Sequence, residues 1–399
     1  MTSTGQPDSL AEPAATPSSD PLNPDPPNPG QADLDKLTSA WLRLAATPGI
    51  GPVNGRLLAA ACGGACEIWQ RKPAELKCIE GIGEKTIQSL AASPADAPAK
   101  LMAQCAALSI DILCLEDERY PTLLRQIDDA PFILFARGQL TALQHPRLLA
   151  VVGARKADSE GRLLTRRWCA SLAAQGIGIV SGMAFGIDAA AHGGALDAEN
   201  GGAPTIAVLG CGLAAPFSPV QQKQIEAISR HGCVLSEFQP EEEARPEHFP
   251  RRNRIIAGMA AGTLVVQADI RSGSLITARL AGDYGREVLT VPGSTLAGRH
   301  AGCHQLLRDG ATLVESPDDI LMAMGWQGSA GMRRVDHVPA NDHEAKIMQA
   351  LDGEIMHIDA LAEHCALTVP ELSPILLGLE LLGVVDVLPG SRYTLGRAG

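Results

Sequence analysis

The segment Leu148-Leu149-Ala150-Val151-Val152-Gly153-Ala154-Arg155 decides the fold, because a short apolar run ends there in a glycine turn. A helix is predicted directly after it, over residues 159–174. Six more apolar runs follow along the chain, at residues 177–180, 205–209, 233–235, 263–266, 288–291 and 312–314. Strands that alternate with helices predict an α/β protein with an open, mainly parallel sheet. Ligands of such sheets bind at the carboxyl ends of the strands.

Turns rich in glycine and other small residues follow three of these strands. Gly153 ends the first strand, Ser181-Gly182-Met183-Ala184-Phe185-Gly186 follows the second, and Ser272-Gly273-Ser274 opens a helix after the fifth. Closely spaced glycines can admit a phosphate group to the backbone amides, and helix N-termini attract anions. The fingerprint Gly-x-Gly-x-x-Gly is absent after the first strand, which argues against a nicotinamide or flavin enzyme.

An arginine cluster lies ahead of another apolar helical run, in the segment Phe249-Pro250-Arg251-Arg252-Asn253-Arg254-Ile255-Ile256. Pro250 is typical of a helix start, so the arginines would add charge to a helix N-terminus that already favours anions. The alternative is a solvated cluster on an exposed helix face. Together with the glycine turns, the cluster predicts a site for an extended polyanion. Aromatic residues make up only 3% of the chain, so Phe249 is the best-placed single platform for a base.

The overall composition limits the classes of protein to which this chain can belong. Its 399 residues are 45% hydrophobic and 20% charged, which is ordinary for a globular protein. A formal net charge of -12 argues against indiscriminate coating of nucleic acid, so any phosphate-binding face must be local. No apolar run is long enough to span a bilayer and no Lys or Arg precedes Lys36, so we expect a cytoplasmic protein. Ten cysteines without a Cys-x-x-Cys pair indicate neither a zinc site nor a disulfide scaffold.

The composition along the chain predicts five parts. Residues 1–36 are a disordered tail, and residues 37–98 form a helix-hairpin-helix domain with Gly-Ile-Gly hairpins at 49–51 and 81–83, for which phosphate contact and protein packing both remain open. The α/β domain covers residues 99–324, with a strand at 111–115 and an extension around 120–138, and is followed by a linker at 325–341. Residues 342–399 read as three helices and a hairpin, which is a winged helix. Its third helix has no Lys or Arg, so protein contact or dimerisation is favoured over duplex DNA binding.

Taken in order, the glycine turns, the arginine segment and the Val291-Pro292-Gly293 turn resemble the DNA-processing protein A family, also called Smf or DprA. The resemblance implies an extended Rossmann-like, doubly wound core, preceded by a domain like a sterile alpha motif. It also implies a homodimer that binds single-stranded DNA and delivers the RecA recombinase onto incoming strands during natural transformation.

Carried onto this chain, the resemblance implies that Arg155 and the first two glycine turns contact phosphate, while the arginine segment holds the strand and its bases. The DNA-binding residues implied in this way are Gly153, Arg155, Ser181, Gly182, Phe249, Arg251, Arg252, Asn253, Arg254, Ser272, Gly273 and Ser274. The chain departs from the family pattern at Asp158 and Glu160, whose charges would weaken phosphate binding. It also departs after the third strand, at Ala214, Phe217, Ser218 and Gln221.

Two enzyme classes compete with this assignment. Nucleotide phosphoribohydrolases that resemble lysine decarboxylases need a Pro-Gly-Gly-x-Gly-Thr-x-x-Glu loop, but residues 271–279 contain no Glu. A two-metal nuclease needs clustered carboxylates, which the sequence lacks. Asp188 and His192 lie one helical turn apart without a nucleophile, so capping and helix packing are favoured over acid–base chemistry. We therefore expect a binding protein without catalysis, metal or cofactor.

Overall fold

The computed structural model describes residues 29–198, 202–296, 298–326, 339–351, 356–382, 384–388 and 391–395. Most of the predicted tail and linker, residues 1–28 and 327–338, lie outside the described residues. The tail prediction is wrong at its end, because the first helix already begins at Pro29. Residues 29–36, although poor in large apolar side chains, are thus helical and lead into the buried part of that helix.

Six helices form the N-terminal part of the molecule: α1 Pro29–Ala45, α2 Pro52–Cys62, α3 Ala65–Ile68, α4 Pro73–Leu76, α5 Glu84–Ala92 and α6 Ala97–Ala107. The two predicted Gly-Ile-Gly hairpins lie directly before α2 and α5. Gly49 and Gly81 adopt φ of 81° and 84°, which a residue with a Cβ rarely adopts. Ile50 and Ile82 are buried, as expected for hairpins whose isoleucine fills the small core.

One nine-stranded sheet forms the centre of the molecule, in the order β1-β2-β6-β5-β4-β3-β7-β8-β9. Its strands are β1 Asp111–Cys114, β2 Ile133–Gly138, β3 Leu148–Val152, β4 Gly178–Ser181, β5 Thr205–Val208, β6 Cys233–Ser236, β7 Gly262–Val265, β8 Glu287–Thr290 and β9 Thr312–Leu313. β1 and β2 are antiparallel to their neighbours, and the strands from β6 to β9 pair in parallel. The prediction of a mainly parallel sheet is confirmed. The predicted extension turns out to supply β2, which joins the sheet beside β6.

Helices cover both faces of the sheet, which makes the fold doubly wound. They are α7 Thr122–Arg125, α8 Ser159–Ala174, α9 Ile187–Leu196, α10 Pro219–His231, α11 His248–Met259, α12 Ser274–Asp283, α13 Ala301–Arg308 and α14 Pro317–Ala323, with a short 3-10 helix at Leu140–Gln144. Successive residues of β3 alternate between two cores, because side chains of a strand point to opposite faces. Val152 packs with α11 and α12, whereas Val151 packs with α8, α9 and α14.

The core on the α11 face continues without interruption into the N-terminal helices. Trp41 of α1 is buried, and its ring lies 4.9 Å from the ring of Phe132, which directly precedes β2. Gly55 of α2 faces the same ring so closely that a Cβ there would stand 2.8 Å from the Phe132 Cε1 atom. The guanidinium of Arg56 donates to the carbonyl of Ile127 at 2.5 Å. The N-terminal helices are therefore packed onto the sheet domain.

The C-terminal part has the predicted winged-helix elements and a core of its own. Its elements are α15 Asp342–Ala350, β10 Met356–His357, α16 Ile358–Cys365, α17 Val369–Leu381, β11 Val385–Leu388 and β12 Arg392–Leu395. The three strands pair antiparallel in the order β10-β12-β11. β10 is the one element here that the sequence did not predict, since two residues, one of them His357, give no apolar run.

Candidate nucleic-acid interface

A cleft of about 650 Å³ opens at the carboxyl ends of the central parallel strands. The loops after β3, β4 and β7 meet there because parallel strands end at the same edge of the sheet. The first turns of α11 and α12 close its sides. Eight of the twelve predicted DNA-binding residues line the cleft: Gly153, Arg155, Phe249, Arg252, Asn253, Ser272, Gly273 and Ser274.

Arg252 forms the floor of the cleft. Its side chain is buried, and Nη1 donates to the carbonyl of Gly182 at 2.5 Å and to the carbonyl of Val208. These acceptors are the ends of β4 and β5, so the guanidinium ties two strand ends to α11. Burial lowers the pKa of Arg252 to about 10, which leaves it charged at neutral pH. Arg252 thus supplies a fixed positive charge beneath the cleft. Little of its side chain is exposed for direct contact with a ligand.

Arg155 and Phe249 form a composite platform at the entrance. The Arg155 guanidinium lies 4.8 Å from the centroid of the Phe249 ring, within the range of a cation–π contact. Phe249 is half-buried, and its ring packs so closely on Gly210 that a Cβ there would stand 3.1 Å from Cδ1. Arg155 is exposed. Phe249 therefore orients the guanidinium, and Arg155 presents the outer, charged plane to an incoming phosphate or base.

Small polar groups line the wall formed by the start of α12. The hydroxyls of Ser272 and Ser274 lie 2.7 Å apart, and the amide of Asn253 reaches the carbonyl of Gly273 at 3.5 Å. Gly273 is exposed, with no atom within 4 Å of the position of a Cβ. This wall offers hydroxyl and amide donors with room for a backbone to approach.

Asp188 lies beside Arg252 at the base of the cleft and is buried. Its carboxylate accepts from the backbone N–H of Ala184 at 3.3 Å. Burial raises the pKa of Asp188 to about 6, although Arg252 and backbone hydrogen bonds act in the opposite direction. The carboxylate therefore holds the loop after β4 in place, which agrees with the interpretation of this residue as a cap.

His192 of α9 is fully buried and points away from the cleft. Its Nδ1 lies 2.8 Å from the Thr205 hydroxyl, which itself donates to the carbonyl of Ile179 at 3.1 Å. The Thr205 hydroxyl therefore links the His192 ring to the backbone of β4. Burial, with a contribution from Arg252, lowers the pKa of His192 to about 3. The ring is a neutral packing residue, so Asp188 and His192 do not form an acid–base pair.

Four predicted residues do not line the cleft. Ser181 is fully buried and donates to the carbonyl of Val151 at 2.7 Å, and Gly182 lies beneath Arg252. Arg251 and Arg254 point to the opposite side of α11, where both pair with Glu237, whose side chain is only 2% exposed. Arg254 also donates to the carbonyl of Asp129 at 2.5 Å. The structure therefore divides the arginine cluster between the cleft and an ion-pair network around Glu237, in which Arg254 is buried and Arg251 is exposed.

None of the described helices is long and apolar enough to cross a lipid bilayer. Among the described residues, no group of His, Cys, Asp and Glu side chains is arranged to hold a metal ion.

The family model described as DNA recombination-mediator protein A matches residues 111–325, which include the whole cleft and more than half of the chain. The chain belongs to this family. A second model, described as the DprA winged helix domain, matches residues 336–391.

Relatives of this recombination-mediator family align over most of the chain. The protein Smf of Synechocystis sp. is 31% identical over 390 residues, which cover 88% of this chain and 97% of that protein. The DNA processing protein DprA of Streptococcus pneumoniae is 44% identical over 205 residues, which cover 51% of this chain and 71% of that protein. An X-ray structure of DNA processing protein A from Streptococcus pneumoniae is similar to this fold with a TM-score of 0.63 and 33% identity, covering 71% of this chain and 97% of that chain.

Three of the departures from the family pattern, Asp158, Ser218 and Gln221, have structural roles outside the cleft. Asp158 is the N-cap of α8: it accepts from the N–H of Gly161 at 2.8 Å and from the amide of Gln267 at 2.9 Å. Arg299 lies 3.7 Å from the same carboxylate. Ser218 and Gln221 form a capping box at the start of α10. The charge of Asp158 is thus engaged within the fold and does not face the cleft.

Several cleft residues were missed by the sequence argument. The structure adds Asp269, Arg271, Ile276 and Thr277 from the loop after β7 and the first turn of α12. Arg271 directly precedes the predicted Ser272-Gly273-Ser274 turn, and a cation beside a small-residue helix start was the signal that could have identified it.

Proposed function

We propose that the chain binds single-stranded DNA in the cleft, without preference for base sequence, and that it delivers this strand to a RecA-type recombinase. The observation that carries the proposal is the Arg155–Phe249 platform. An exposed guanidinium is held over an aromatic ring at a cleft with a buried arginine below it, in a chain with net charge -12. Family membership supports the recombination-mediator role.

The geometry favours an unpaired strand. Arg155 and Arg271 are exposed cations at the cleft, while the serine hydroxyls at the start of α12 offer neutral donors. Phosphate contacts of this kind carry no sequence information. The Arg155 guanidinium plane, supported by Phe249, can stack on a base, and a base is accessible for stacking only when it is unpaired. The cleft therefore suits the backbone and one or two bases of a single strand.

The family relationship supports a homodimer and a RecA contact, and we assign both to the surface outside the cleft so that DNA can remain bound during transfer. Size-exclusion chromatography with light scattering tests the dimer. A RecA filament assay on DNA coated with single-strand binding protein tests delivery, because a mediator shortens the lag before filament growth.

The binding experiment compares single-stranded and duplex oligonucleotides of the same length side by side. We expect tight, salt-dependent binding to the single strand and weak binding to the duplex. Equal affinity for both would contradict the proposal. Incubation with nucleoside monophosphates tests the ribohydrolase alternative, and release of free base above background would contradict a role without catalysis.

A further inference from the structure

Phe185 is the only exposed aromatic residue of this chain. Of the four Trp, three Tyr and six Phe residues, all of which the structure describes, the other twelve are buried or partly buried. The Phe185 side chain is 74% exposed. An aromatic ring so open to water makes no contribution to the core that would explain its presence.

The loop after β4 holds Phe185 at the rim of the cleft. Ala184 before it lines the cleft, and Met183 is buried with φ of 54°, an uncommon conformation for a residue other than glycine. Gly186 after it has φ of 85° and packs so closely on the loop after β3 that a Cβ would stand 2.7 Å from the Arg155 carbonyl oxygen. The N–H of Ile187 donates to the carbonyl of Ala154 at 3.3 Å. Both sides of Phe185 are thus anchored, and its backbone neighbours that of Arg155.

Phe185 has what the Arg155–Phe249 platform lacks, which is a free aromatic face. The ring of Phe249 is half-buried and already carries the Arg155 guanidinium. A base that enters the cleft therefore meets the guanidinium plane first. The neighbouring base along the strand needs a second surface. Phe185 can supply it, because it directly precedes Gly186, whose backbone packs on that of Arg155.

We propose that Phe185 is a second base platform, on which a nucleobase of the bound single strand stacks next to the base held at Arg155. This inference rests on the proposed function. The neighbours favour a nucleobase over a protein partner, because Arg155 and Lys156 on the adjacent loop are exposed cations that suit the phosphates on either side of a stacked base. A single ring flanked by Ala184 and Gly186 does not form the contiguous apolar patch typical of a protein interface.

The test compares wild type, Phe185→Ala and Phe185→Trp on a mixed-sequence single strand and on an equally long strand of abasic sites. Phe185→Ala should bind the normal strand roughly tenfold more weakly, the size expected for one base–aromatic stack, while Phe185→Trp should bind like wild type. On the abasic strand, Phe185→Ala and wild type should bind equally. The dependence of affinity on salt should keep its slope in Phe185→Ala, because a stacked ring displaces no counterions.

Met322→Ala is the matched control, since Met322 is 65% exposed on α14 and does not line the cleft. It should bind both strands like wild type. Phe185→Ala within twofold of wild type on the normal strand, or weaker than wild type on the abasic strand, would overturn the inference while leaving the proposed function intact. Absence of binding by the wild-type protein would overturn both.

Discussion

The Arg252 guanidinium lies directly over Gly182, with its Cζ atom 2.5 Å from the position that a Cβ on Gly182 would take. The same guanidinium donates to the Gly182 carbonyl. The glycine of the turn after β4 is therefore required because an arginine side chain from α11 occupies its side-chain space. This contact joins two motifs that lie about seventy residues apart in the chain.

Gly182→Ala should displace Arg252 and destabilise the protein. Overpacking of a tightly filled site costs about 1–3 kcal/mol, and the displaced guanidinium would also leave buried carbonyls without a donor. Chemical denaturation should show a reduced free energy of unfolding. Gly273→Ala is the control in the same cleft, because no atom lies within 4 Å of its Cβ position. Equal stability of the two variants would contradict the packing argument.

Arg155→Ala and Arg254→Ala should affect different properties. Loss of the exposed Arg155 should lower the slope of log affinity against log salt by about 0.7 on single-stranded DNA, as for one phosphate contact. Arg254 is buried against Glu237, so its loss should leave that slope unchanged but lower the free energy of unfolding by roughly 3–5 kcal/mol. Filter binding at several salt concentrations and urea unfolding measure the two effects. If the Arg254→Ala variant were stable and had a reduced slope of log affinity against log salt, Arg254 would have to contact the DNA.

His192 should make the protein less stable in acid. The pKa of this buried ring is lowered from about 6.5 to about 3, so the unfolded chain takes up a proton that the folded chain refuses. The stabilisation is complete above pH 6.5 and is lost as the pH falls towards 3, by up to about 1.4 kcal/mol per pH unit. Between pH 7 and about pH 4, the free energy of unfolding should therefore fall more steeply in wild type than in His192→Gln.

Asp188 should change the stability with pH in the opposite direction to His192. Its pKa is raised to about 6, so its contribution to stability is complete below pH 3.8 and is lost as the pH rises through about 6. In acid, Asp188 therefore offsets part of the loss caused by His192. Asp188→Asn should lose stability more steeply than wild type on acidification. Parallel pH profiles for the three proteins would contradict both assignments.

Asp158→Ala should weaken the start of α8 without changing DNA affinity. Loss of an N-cap costs about 1 kcal/mol, whereas the carboxylate does not line the cleft. Hydrogen bonds from the N–H of Gly161 and the amide of Gln267 lower the pKa of Asp158, so its stabilisation should disappear as the pH falls through that lowered value. Thermal unfolding and strand binding measure the two properties. Markedly tighter DNA binding by the variant would show that the charge does act on phosphate.

Deletion of residues 342–399 should leave single-strand affinity nearly unchanged. The winged helix has a separate core, and α17 carries Glu371 and Glu380 but no Lys or Arg. Leu377 of α17 is 57% exposed, which suits contact with a protein. Fluorescence anisotropy with the truncated chain checks the prediction, and a collapse of affinity would assign the domain to DNA binding.

The sheet was predictable because most of its strands are continuous apolar runs, and each of the eight predicted strands lies within one or two residues of its observed bounds. β2 was predicted only as part of an extension. The direction in which each arginine side chain points could not be predicted from the sequence. Neighbouring helical residues point about 100° apart, so a cluster along the sequence divides around the helix. Arg251 and Arg254 are three residues apart and share a face, and Glu237, which pairs with both, comes from a distant segment.

The contact between the rings of Trp41 and Phe132 joins the N-terminal helices to the sheet domain. Because the N-terminal helices complete the same apolar interior as the sheet, the two regions should melt in one cooperative transition. Deletion of the helices would expose the ring of Phe132 to water and promote aggregation. We expect a chimera that takes one region from a distant relative to fold only if the contacting residues of both regions, including Trp41 and Phe132, are replaced together.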